Sequence, residues 1–138
     1  MTAAREADLA LTWRRAQPEL ESVDTAVLAN AWWKMAGHLE YLRDSAGAIG
    51  ALRTCIAADG RPWITFAATM KLAQLLSDAD DAEGARTAYE QARDLIPGLP
   101  PNEDLAGDPL SNLSYIEQQL RKLAADLSSH EPRDEQQT

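Results

Sequence analysis

ANAWWKMAGHLEYLRDSAGAIGALRTCIAADG, residues 29–60, and FAATMKLAQLLSDADDAEGARTAYEQARDLIP, residues 66–97, align without a gap at a shift of 37 residues. Ala31, Lys34, Ala36 and Leu39 fall on Ala68, Lys71, Ala73 and Leu76. Asp44, Gly47, Ala48 and Ala51 fall on Asp81, Gly84, Ala85 and Ala88, and large Leu52 falls on large Tyr89. Within each copy apolar residues recur three and four apart, the spacing of a helix with one buried face. A tight turn containing an aspartate, Asp44 or Asp81, divides each copy in two. Each therefore reads as helix, tight turn, helix, with small residues where the two helices must approach closely.

Outward from the repeat the pattern remains helical. A first helix is expected over about 2–16, with Leu9, Trp13 and Ala16 on one face, closed by Pro18 because proline lacks the amide proton and restricts Gln17. Ser22 is expected to cap a second helix running to about Arg43, and Asp44-Ser45 a third that ends at Asp59-Gly60. Helices over about 63–77 and 81–96 come next, then a polyproline-like connection from Pro97 toward Asp108. Asp108-Pro109 starts a last helix, in which Leu113, Ile116, Leu120, Leu123 and Leu127 form a packing seam. From Ser128 to Thr138 no apolar side chain is available for burial, so a disordered tail is expected at 128–138. The expectation is one all-α domain over 1–127, with repeat units at about 29–60 and 66–97 and a capping helix at about 109–127.

The repeat resembles the tetratricopeptide family of antiparallel helix hairpins. In the second copy Leu72, Ala73 and Leu76 stand at the family's leucine, glycine and tyrosine positions, and Ala85, Tyr89, Ala92 and Pro97 match its second helix. In the first copy Trp32 takes the tryptophan position, followed by Met35, Ala36 and Leu39, then Ala48, Leu52 and Cys55, with Gly60 where proline is usual. The wording DAEGARTAY, residues 81–89, is similar to the slightly longer repeats of actinobacterial tetratricopeptide proteins. The resemblance spans Ala29 to Pro97 and implies a right-handed superhelical stack whose first helices line a concave groove. It implies that Trp32 is structural, and that a partner peptide meets Trp33, Lys34 and Tyr41, then Met70, Lys71 and Gln74. The N-terminal or the final helix could instead fold over these groups. The family's carboxylate-clamp pattern is incomplete here, since the lysines repeat without their asparagine partners.

Composition narrows the function further. The chain has 138 residues with 22 acidic against 13 basic side chains, a formal charge of −9, which disfavours a nucleic-acid ligand held by a positive field. Its apolar runs are too short and too often interrupted by charge to span a bilayer. One cysteine cannot form an internal disulfide and the first residues lack a signal peptide's apolar core, so a cytoplasmic protein is expected. Ten arginines against three lysines point to a bacterial genome of high GC content.

Candidate chemistry is sparse. Cys55 sits at a helix-packing position and reads as a buried, inert thiol. His38 and His130 have no ligand-like spacing to other residues, the acidic run 78–83 lacks the glycine and closing glutamate of a calcium loop, and the glycines do not form a phosphate cradle. No enzyme activity, cofactor or metal is expected. The leading expectation is a small adaptor that binds a segment of another protein. The alternatives are an obligate or self-associating subunit using the Leu113–Leu127 seam, and a regulatory or chaperone-like partner of an enzyme. A monomer is favoured over a homodimer, because the last helix can cap the final hairpin.

Overall fold

A computed structural model describes residues 3–100 and 109–136. Among them the chain forms six α-helices and no strand: α1 Ala3–Leu20, α2 Thr25–Tyr41, α3 Ser45–Ala58, α4 Pro62–Asp78, α5 Ala82–Leu95 and α6 Pro109–Gln136, with a 3-10 turn Ile96–Gly98 after α5. The chain divides into two compact units, residues 1–68 and 69–138, the boundary falling inside α4.

The 37-residue repeat is reproduced bond for bond at its turns. In the first unit α2 ends with Arg43 in the left-handed region at φ 62°, and in the second α4 ends with Asp80 at φ 62°. The amides of Arg43 and Asp44 reach back to the carbonyls of Glu40 and Leu39, both at 2.9 Å. Those of Asp80 and Asp81 reach Ser77 at 3.1 Å and Leu76 at 2.9 Å. Each helix thus ends in a Schellman motif. The same aspartate then starts the following helix: Asp44 Oδ1 accepts from the Gly47 amide at 3.0 Å, and Asp81 Oδ1 from the Gly84 amide at 2.9 Å. A Cβ at either glycine would collide with the capping carboxylate. One aspartate therefore serves two helices, and a side chain three residues on would have to displace its carboxylate.

In the first unit α2 and α3 form the antiparallel hairpin. Ala29, Ala36, Ala48, Ala51 and Cys55 are buried small residues, and Met35, Leu39 and Leu52 fill the remaining space. Small side chains permit close approach, and the Cys55 thiol donates to the Ala29 carbonyl at 3.2 Å. At the far end, a Cβ on Gly60 would lie 2.7 Å from that of Ala29, so the chain leaving α3 passes tightly over the start of α2. Helix α1 packs on the other side of α2, with no fully buried residue among its described side chains.

Trp63, Ile64, Thr65, Phe66, Ala68, Thr69, Leu72, Ala73, Leu75 and Leu76 make α4 buried around most of its circumference, well beyond the single stripe of a surface helix. In the second unit α5 buries Ala85, Ala88, Tyr89 and Ala92, and α6 packs on α5 through a seam in which Ile116 and Leu123 are buried. The Tyr89 ring meets Tyr115 edge-on at 6.3 Å. Burial, followed by the Tyr115 hydrogen bond and charge and then Asp78, pushes the Tyr89 phenol well above its ordinary pKa.

Four expectations at the helix ends need correction. Pro18 lies inside α1, which continues to Leu20, because one missing amide bond near a helix end does not stop the turns that Glu21 and Ser22 close onto Gln17 and Glu19. The cap of α2 is Asp24, whose carboxylate accepts from Ala26 at 2.9 Å and Val27 at 3.4 Å, while Ser22 accepts from the Asp24 amide. Pro97 and Gly98 belong to the 3-10 turn; extended backbone begins at Leu99, and residues 101–108 lie outside those described. Finally, α6 continues past Leu127 to Gln136, in place of the disordered tail expected from Ser128. Extending an established helix costs far less than starting one.

The turns and the buried thiol each generate a prediction. Asp44→Ala and Asp81→Ala should each lower stability by about 1 kcal/mol, and Arg43→Gly should raise it by about 0.5–1 kcal/mol by relieving the left-handed backbone, all read by urea unfolding. Burial also pushes the Cys55 thiol from 9.0 up to about 11. Between those values the native state keeps a proton that the unfolded chain releases. Stability from this group is therefore complete below pH 9 and lost as pH rises through 11. Cys55→Ala should flatten the alkaline loss by on the order of 1 kcal/mol in unfolding measured across that window.

Candidate protein-docking surface

Positions 27, 34 and 41 are spaced by seven and so return to one side of α2. Val27, Lys34, Gly37 and Tyr41 are all exposed there, Tyr41 by 79%. A Cβ built on Gly37 would find no atom within 4 Å. This glycine therefore weakens the helix without making room for anything packed inside the unit. Trp33, next to the stripe, is half-buried. Met70, Lys71 and Gln74 stand on α4 in the second unit, each half-buried, and Lys71 already has a partner within the protein. Lys34 and Tyr41 thus share an open face, Trp33 borders it, and the α4 residues form a separate set.

The other side of α2 is taken by α1. Trp13 meets Trp32 edge-on with ring centroids 5.5 Å apart, so Trp32 is half-buried under α1 rather than enclosed in the hairpin. Beside the tryptophan, Thr12 donates its hydroxyl proton to the Asp8 carbonyl at 2.9 Å. That hydroxyl can then only accept from His38, so His38 Nε2 carries a proton and shares it between Thr12 Oγ1 at 3.1 Å and Asp8 Oδ2 at 3.2 Å. Because both contacts use the same ring nitrogen, this is a clamp between helices and not a relay of the kind that activates a nucleophile.

Next to the clamp, α1 and α2 leave a groove of about 280 Å³. Its floor is Ala16, Ala31 and Met35, and its walls are Thr12, Arg15 and Glu19 from α1 and Lys34 from α2. No ion pair involves Arg15, Glu19 or Lys34 among the described residues. Sequence reasoning finds Lys34 but misses Arg15, because the pairing of α1 with α2 leaves no periodic signal; only Trp13, at 3.6-residue register with Leu9 and Ala16, marks the docking face.

The second unit has a cleft of about 480 Å³ between the α4–α5 turn and α6, floored by Leu123 and Leu127 and edged by Asp80, Asp81, Glu83 and Asp126. Asp81 is occupied as the α5 cap, and Asp80 provides the left-handed turn residue, so the acidic run has a structural explanation. Among the described residues no group of three or more His, Cys, Asp or Glu could hold a metal ion, and no helix is long and apolar enough to cross a membrane. No protein-family model and no curated protein matches the chain.

The clamp makes a direct prediction. His38→Ala should lower stability by about 1 kcal/mol and loosen α1, seen as a red shift of tryptophan emission as Trp13 and Trp32 become wetter. An unchanged spectrum and midpoint would show that α1 is held by the tryptophan pair alone.

Proposed function

We propose that this protein is a small helical-repeat adaptor, similar to tetratricopeptide domains, that holds a segment of another protein against the open face of α2. The observation that carries the reading is the stripe Lys34, Gly37 and Tyr41. A glycine in the middle of a helix costs roughly 1 kcal/mol relative to alanine, and here no neighbour within the unit requires it. A partner that approaches the helix backbone would. Aromatic Tyr41 and Trp33 beside Lys34 offer the anchor-and-cation chemistry of interaction hot spots.

In this reading Met70, Lys71 and Gln74 occupy the equivalent repeat positions on α4, and the hairpins belong to a right-handed stack of the tetratricopeptide kind. Identical Schellman and cap geometry at both turns supports a repeat. The adaptor would work in the cytoplasm of a bacterium. The alternative of self-association through the α6 seam is weakened, because Ile116 and Leu123 are already buried where α6 meets α5.

The test is affinity capture from an extract of the source organism with wild-type, Gly37→Gln and Tyr41→Ala baits. Gly37→Gln should be as stable as wild type or more so, yet lose the captured partner, and Tyr41→Ala should weaken capture by about 2 kcal/mol. Partners retained equally by all three baits would exclude this face.

A further inference from the structure

The groove between α1 and α2 is locally cationic in an acidic chain. Arg15 and Lys34 stand on its opposite helices with no ion pair among the described residues, against a net charge of −9 for the whole. Between them the floor of Ala16, Ala31 and Met35 is apolar. A volume of about 280 Å³ lies below the roughly 300–1,000 Å³ of small-molecule sites, so the groove suits one or two side chains rather than a cofactor. Lys34 also belongs to the open stripe of α2, which makes the groove continuous with that surface. Elsewhere the cationic side chains of α5 are already in use: Arg86 meets Glu83 and Glu90, and Arg93 meets Asp94.

We infer that this groove reads an acidic residue followed closely by an aliphatic one in the partner segment. The carboxylate lies between Arg15 and Lys34, and the aliphatic side chain rests on Ala16, Ala31 and Met35. Glu19, the one acid on the rim, repels a second carboxylate at its end and so fixes the direction of the segment. The inference rests on the adaptor reading but adds a subsite and a sequence preference that the α2 stripe alone does not give.

The experiment is selection of a random dodecapeptide display library on the full chain, with anisotropy titration of the best enriched peptide. Enriched peptides should carry Asp or Glu near Leu, Ile or Met. Arg15→Glu with Lys34→Glu should weaken the best peptide at least about tenfold, and a peptide with its acid changed to lysine should regain affinity for that variant. Both side chains are exposed, so circular dichroism should be unchanged. Arg15→Gln with Lys34→Gln, which adds no repulsion, should give a smaller loss in the same direction. Enrichment without acidic residues, no enrichment at all, or equal binding by the charge-reversed protein would overturn the inference. Tyr41→Ala and Arg15→Glu, which lies outside the stripe, separate the two ideas: loss in Tyr41→Ala alone leaves the adaptor reading and removes the groove, whereas loss in Arg15→Glu alone keeps the groove and moves the contact off the stripe.

Discussion

The hydrogen bond from a turn aspartate to the amide three residues later is the interaction on which both repeated turns depend. Asp44 and Asp81 each close a Schellman motif with their own amide and open the next helix with their carboxylate. The orphaned groups of two helix ends are thereby satisfied within a few residues, leaving no long loop to order. The same geometry constrains the neighbouring residues. In the first unit the short turn returns α3 directly against α2, where Ala48 and Ala51 are buried, and the matching Ala85 and Ala88 of α5 are buried too. A left-handed residue must precede the aspartate, and here it is Arg43 or Asp80 rather than the usual glycine. Some backbone strain is thus accepted at both turns for a side chain that remains in solvent.

The outer helices differ in how firmly they are held. Helix α6 places Ile116 and Leu123 under cover and brings Tyr115 against the buried Tyr89, an arrangement held largely by apolar contact. Helix α1 buries none of its described side chains completely and relies on one tryptophan pair and one histidine clamp. Local opening should therefore begin at α1. The α1–α2 groove exists only while α1 is docked, so under the proposed function a partner seated there would be linked to the docking equilibrium.

Much of the architecture is legible in the sequence because the repeat states it twice. The shared Asp-x-x-Gly-Ala pattern marks the turns, and the three-four spacing of Leu113 to Leu127 marks the covered face of α6. Helix ends are less legible. Pro18 looks decisive but sits near a helix end, where a lost bond is tolerated, and Ser22 and Asp24 are two residues apart with similar capping chemistry. The tail beyond Leu127 has nothing to bury, yet helix extends through it because propagation needs no core. Of the candidate surface, Lys34 and Tyr41 are visible as repeat positions. Arg15 is not, since its place depends on a contact between residues far apart in the chain, and Trp32 reads as hairpin core although its cover comes from Trp13.

A helical chain of this size offers mainly faces, and those of the first unit are set by where the α2–α3 hairpin closes. The most direct measurement is native-state hydrogen exchange at the Gly47 and Gly84 amides, the two donors to the capping aspartates. Both should be protected to a similar degree, and Asp44→Ala and Asp81→Ala should each expose the amide that its carboxylate caps. Exchange of either amide at the rate of an unstructured chain, while the other stays protected, would contradict the claim that one geometry forms both turns.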